Sequence, residues 1–236
     1  MVQATLDNST YINLANPSFA RIEFKAKDPV SALTHFIGCV AAIFSTPFLL
    51  IHASTRAASV TDLVALSIFM LSMVLLYGAS TSYHTFSLYG ESALKLKRLD
   101  HMMIFVLIAG TYTPVCVCAL KENGLLLLSV VWGIAIIGML FKLLWVTCPK
   151  WISSVIYISM GWVVVFAMPK LIPVVSTTSF TFLLIGGIIY TVGGVIYALK
   201  LIKFNTRGSV WGSHEIFHLF VLGGSLCHFI SIYSLF

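Results

Sequence analysis

The sequence predicts an all-α polytopic membrane protein of seven transmembrane helices, with the N-terminus cytoplasmic and the C-terminus outside. Three observations lead there. Only 9% of the 236 residues are charged and the mean hydropathy is +0.99, whereas soluble domains carry about 25% charged residues. Apolar runs recur, each of about 20 residues and so able to cross a hydrocarbon core of roughly 30 Å at about 1.5 Å per residue. Lysine and arginine are distributed unevenly between the two sets of connections.

Apolar runs and their breaks place helices at about 30–53, 62–86, 100–120, 124–145, 152–172, 179–202 and 213–236, with boundaries uncertain by about two to four residues. Residues 1–29 read as a polar cytoplasmic tail and 30–236 as one seven-helix domain. The tail lacks the basic-then-apolar layout of a cleaved signal peptide, so the first span is expected to persist. Arg21, Lys25, Lys27, Lys95, Lys97, Arg98, Lys142, Lys150, Lys200, Lys203 and Arg207 fall on one side, eleven of the 14 positive charges. Arg56, Lys121 and Lys170 fall on the other. The positive-inside rule makes the richer side cytoplasmic. The net charge of +6 therefore follows from topology, and nucleic acid is excluded as a partner. Asn8-Ser9-Thr10 spells a glycosylation acceptor but sits in the cytoplasmic tail.

The cysteines, Cys39, Cys116, Cys118, Cys148 and Cys227, lie in or beside apolar segments and are odd in number. Cys116 and Cys118 point about 200° apart on a helix, which disfavours a shared metal. They read as small core residues. Gly186, Gly187, Gly193 and Gly194 are expected to permit close helix approach, and Pro114 to kink the third span.

Ionisable groups within a bilayer are expensive and usually functional. Topology brings His35, His84, Asp100, His214 and His218 to one depth, at the cytoplasmic end. His214 and His218 are four apart and share a helix face, as do Ser80 and His84. Two histidines from one helix and one from another make a three-nitrogen set with the fourth tetrahedral position open, which marks a catalytic zinc site. Asp100 is suited to hold a water there or accept its proton. His228 lies about 280° around the helix from His218 and roughly 15 Å deeper, and reads as a packing or hydrogen-bonding residue. His101 follows Asp100 directly and is expected to face the interface. His52, near the opposite face, reads as satisfied polar, and Asp62, Glu91 and Glu122 as solvated charges.

The stretches SALTHFIG (31–38), YGASTSYH (77–84), RLDHMMIFVLIAGTYTP (98–114) and HEIFHLFVLGGSLCHF (214–229) together resemble the haemolysin III family. That family is the bacterial branch of the progestin and adipoQ receptors, itself similar to alkaline ceramidase-like membrane hydrolases. The resemblance implies a bacterial plasma-membrane protein with Zn2+ on His84, His214 and His218, and Asp100 and Ser80 close to the reacting water. It also implies a membrane lipid as substrate or ligand. The family's first-helix pattern, E-x-x-N-x-x-x-H, is here Asp28, Ser31 and His35. This shortens the side chains at the first two positions, so their reach to the site is not expected; His35 is a supporting candidate.

His214-Glu215-x-x-His218 also spells the zinc-protease motif. Receptor relatives lack the glutamate, however, and Glu215 stands about 100° from His214 and about 60° from His218 around the helix. The function expected is metal-dependent hydrolysis of a lipid amide or ester. The alternatives are a receptor-like sensor of membrane lipid with a structural zinc, a pore-forming haemolysin and an intramembrane protease. A pore needs a polar stripe through several spans, and the polar residues here stop at one end.

Overall fold

The structure is a computed structural model that describes residues 26–201 and 211–236. Asn8, Arg21, Lys25, Lys203 and Arg207, with most of the expected N-terminal tail, lie outside the described residues. The described chain is helical: α1 Pro29–Ser54, α2 Val60–Thr85, α3 Gly90–Pro114, α4 Leu125–Leu144, α5 Lys150–Gly161, α6 Met168–Leu171, α7 Thr177–Leu199 and α8 Ser213–Tyr233. A π-helical turn, Val115–Leu120, and a 3-10 turn, Lys121–Gly124, join α3 to α4. A second 3-10 stretch, Trp162–Ala167, joins α5 to α6.

Six helical segments are long and apolar enough to cross a membrane. One of them, Gly90–Leu144, is a 55-residue run. The run reverses where Lys121 takes φ 53° and ψ −128°, so α3 and α4 pack side by side. Thr113 accepts a hydrogen bond from the Trp132 indole at 3.2 Å, and Phe105 lies on Gly138. At the tip, a Cβ on Gly124 would collide with the Cys116 backbone; only glycine fits that turn.

Start signals are visible locally. Ser59 and Asp62 form a reciprocal capping box at the head of α2, satisfying donors a helix start leaves open. Ser176 caps α7 through the Ser179 amide. Helix α3 begins at Gly90, about ten residues before the expected start, so Lys95, Lys97 and Arg98 lie on it rather than in a connection. Their charge hides the helix from a hydropathy reading. Pro114 ends the regular α-helical part of that segment and the π turn follows.

Helices pack as a ring: α1 on α2, α2 on α3, α3 on α5, α5 on α7, α7 on α8, and α8 back on α1. Helix α4 rests outside α3. At Gly193 a Cβ would sit 2.5 Å from the Phe220 Cβ, so glycine sets the separation of α7 from α8. Gly187 meets nothing within 4 Å and borders the central cavity instead. Where α5 loosens into its 3-10 stretch, the Tyr112 hydroxyl bridges freed groups. It lies 2.6 Å from the Gly161 carbonyl and accepts from the Val164 amide at 2.8 Å, which supplies partners the regular ladder no longer provides. Large apolar side chains face outward, Phe48 and Phe166 among them at 69% and 87% exposed, as a lipid-facing surface requires.

Lys142, counted among the cytoplasmic-side charges, is enclosed by the protein. It is fully buried, with Nζ 2.5 Å from the Ser153 hydroxyl and 3.0 Å from Cys148 Sγ. All five cysteines are free.

Candidate metal centre

The end of α2 and the beginning of α1 are tied by backbone hydrogen bonds, Asp28 N–H to the His84 carbonyl at 2.9 Å and Lys27 N–H to that of Thr85 at 3.3 Å. The first turn of α8 stands beside them. His214 and His218, one turn apart, face His84 from that helix. His84 Nε2 and His214 Nε2 are 3.2 Å apart, and the ligand atoms of His84, His214 and His218 all lie within 4.8 Å of one another. A tetrahedral zinc with bonds of about 2.0–2.1 Å holds its nitrogens about 3.3 Å apart, so the His84–His214 pair already has that spacing. The three residues fit a metal ion.

Their surroundings fix the rings. His84 donates from Nδ1 to Asp28 Oδ2 at 2.9 Å, the arrangement that leaves Nε2 with its lone pair toward a metal. Asp28 therefore reaches the site, contrary to the expectation from its short side chain, because the chain just before α1 folds onto the end of α2. His35 stacks on His218, ring centroids 3.8 Å apart, and meets Tyr77 edge-on at 5.0 Å. The remaining nitrogens of His214 and His218, and both of His35, are buried without a protein partner among the described residues. A buried imidazole cluster with so few partners is costly, and a bound cation would answer part of that cost.

Asp100 is not at the start of its helix but three turns in, buried, and it borders the same cavity as Ser80, His35, His214 and His218. The Ser80 hydroxyl faces its carboxylate. His101 also borders the cavity, with Nδ1 3.5 Å from Asp100 Oδ2, and so does not face the interface as expected. Its backbone carbonyl accepts from the Tyr157 hydroxyl at 3.0 Å, which ties α5 to α3. Glu215 turns away from the three nitrogens: Ser31 donates to its Oε1 at 3.4 Å. His52 stacks on Tyr233 and contacts Arg56 at the far end of α1, remote from the cluster.

The cavity, about 160 Å³, is lined from Asp100 on α3 to Val115 at the start of the π turn, roughly 22 Å by helix rise. Leu76, Leu107, Ile108, Leu183 and Val221 make its walls apolar, and none of its lining comes from α4. Imidazoles and a carboxylate stand at one end of these mostly apolar walls.

Comparison with known proteins agrees with this architecture. A family profile described as haemolysin-III related matches residues 24–229. The chain is similar to the hemolysin-3 homolog of Bacillus subtilis, 38% identical over 211 residues that cover 89% of this chain and 94% of that protein. Hemolysin-3 of Bacillus cereus is 37% identical over 89% of this chain and 92% of its own length. A more distant likeness, 24% identical over 84% of this chain and 48% of the other, is to the adiponectin receptor protein of Drosophila melanogaster. The helical membrane architecture and these matches agree: the chain belongs to the haemolysin-III-related family, the bacterial branch of the progestin and adipoQ receptors, as a multi-pass integral membrane protein.

Proposed function

We propose that this protein is a zinc-dependent hydrolase of a membrane-lipid amide or ester, built on seven membrane crossings with its N-terminus in the cytoplasm. One observation carries the reading: His214 and His218, which converge with His84, stand with Asp100 and Ser80 at one end of a cavity whose walls are mostly apolar. Zinc bound by His84, His214 and His218 supplies a Lewis acid that polarises a carbonyl and brings the pKa of a water near 7. Asp100 takes the proton as the carbonyl is attacked and returns it to the leaving group. Ser80 orients that carboxylate and the developing oxyanion. Asp28 and His35 hold two of the ligand rings, and the apolar walls align the chain and keep bulk water out.

The Gly90–Leu144 run supports the reading of seven crossings. Its 55 residues exceed by more than twofold the roughly 20 that one crossing needs, and it reverses near its middle. Lys95, Lys97, Arg98, Lys150 and Lys200 then share the side of the histidines, and Arg56, Lys121 and Lys170 the other, which supports a cytoplasmic metal site.

The test is turnover by purified, zinc-loaded protein on a panel of ceramides and acyl lipids. Fatty-acid release is expected, and Asp100→Asn should lower it by about 10²–10⁴-fold with zinc retained. A zinc-loaded protein that leaves the whole panel intact contradicts the reading. The likeness to an adiponectin receptor protein favours a second reading, a lipid sensor with a structural zinc; there, Asp100→Asn would leave ligand binding and the cellular response intact.

A further inference from the structure

His228 lines the cavity deeper in than the histidine cluster, ten residues along α8 from His218 and about 15 Å away by helix rise. It is more than nine-tenths buried and forms part of the cavity wall. Its ring lies tilted over Tyr190, centroids 5.1 Å apart, and is seated against Gly186, where a Cβ would come within 3.0 Å of Nε2. Packing therefore fixes the ring. The packing role expected of this residue is met, and Nδ1 has no protein partner among the described residues.

The hydroxyls beside it are also one acceptor short. Tyr77 donates to Ser225 Oγ at 2.6 Å, and Tyr190 and Ser225 share a hydrogen bond of 2.8 Å. Three hydroxyl protons thus serve two bonds, whichever way the second bond runs, and Tyr190 borders the cavity. A neutral imidazole brings one donor and one acceptor. Leaving such groups unmatched in an apolar interior is costly, and a buried group of this kind calls for an explanation.

We propose that His228 and Tyr190 form a second polar anchor, which selects a lipid chain bearing a hydroxyl group far from its head. A hydroxyl is both acceptor and donor, so it takes the spare phenolic or seryl proton and gives its own to the imidazole. The proposal rests on the lipid-cavity reading above. An extended chain advances about 3.5 Å over three bonds, so about 15 Å between the anchors corresponds to roughly a dozen bonds. The selected hydroxyl stands near the middle of a long acyl chain, not beside the carboxyl or amide.

The experiment is displacement of a fluorescent fatty acid from purified full-length protein by octadecanoic acid, 12-hydroxyoctadecanoic acid and 2-hydroxyoctadecanoic acid. Wild type should prefer the 12-hydroxy acid over octadecanoic acid by about tenfold, one good hydrogen bond's worth, and show no such preference for the 2-hydroxy acid. His228→Phe should erase the preference while still binding octadecanoic acid. Tyr190→Phe, which keeps the ring that supports α8, should reduce it and serves if the first variant fails to fold. Equal affinities for all three acids in wild type would overturn the anchor and assign the unmatched groups to water, leaving the lipid cavity intact. Binding of none of the acids would overturn the lipid cavity itself.

Discussion

Asp28 Oδ2 lies 2.9 Å from His84 Nδ1, joining the chain before the first helix to the only one of the three clustered histidines that α2 contributes. The contact decides which nitrogen of His84 is free, and it depends on the backbone pairing of Asp28 with His84. Asp28→Asn is therefore expected to retain metal but weaken it by about 10–100-fold, read by competition with a graded series of chelators. Affinity equal to wild type would remove Asp28 from the site.

Asp100→Asn separates binding from chemistry. Zinc content should stay near one per chain while hydrolysis falls by about 10²–10⁴-fold, the usual contribution of a positioned general base. Steady-state turnover alongside elemental analysis checks both. Loss of zinc in this variant would show that Asp100 is itself a ligand.

Glu215→Gln distinguishes this site from a zinc-protease motif. The glutamate engages Ser31 and not the metal nitrogens, so zinc content and turnover are expected within about threefold of wild type, a change of under 1 kcal/mol. A loss beyond a hundredfold would return Glu215 to the role of general base.

Gly193→Leu tests the α7–α8 contact. A side chain there meets Phe220 at once, and overpacking of this kind costs about 1–3 kcal/mol. Thermal unfolding in detergent should shift downward, with less of an effect for the same change at Gly187, which faces open space.

The residues of the site were legible where short-range geometry and topology acted together. His214 and His218 share a face because they are four apart, and topology alone brings His84 to their depth. What escaped depends on contacts between distant segments. Asp28 reaches His84 through the pairing of the start of α1 with the end of α2. The head of α3 is hidden because Glu91, Lys95, Lys97 and Arg98 interrupt its hydropathy, so the apolar run starts at Asp100, which lies three turns into the helix. Periodicity gave His101 the wrong surroundings, since a carboxylate can bend toward the next residue's ring. Lys142 looked like one more basic residue on the cytoplasmic side because nothing local announces that Cys148 and Ser153 enclose it. The unmatched nitrogen of His228 needed the packed cavity to be seen.

The most direct measurement is the zinc content of the purified protein, by elemental analysis, for wild type and His84→Ala. The account predicts about one zinc per chain in wild type and none in the variant, because the site needs a nitrogen from α2 as well as the pair on α8. A folded wild-type protein that binds no metal, or a variant that keeps its full complement, would contradict it.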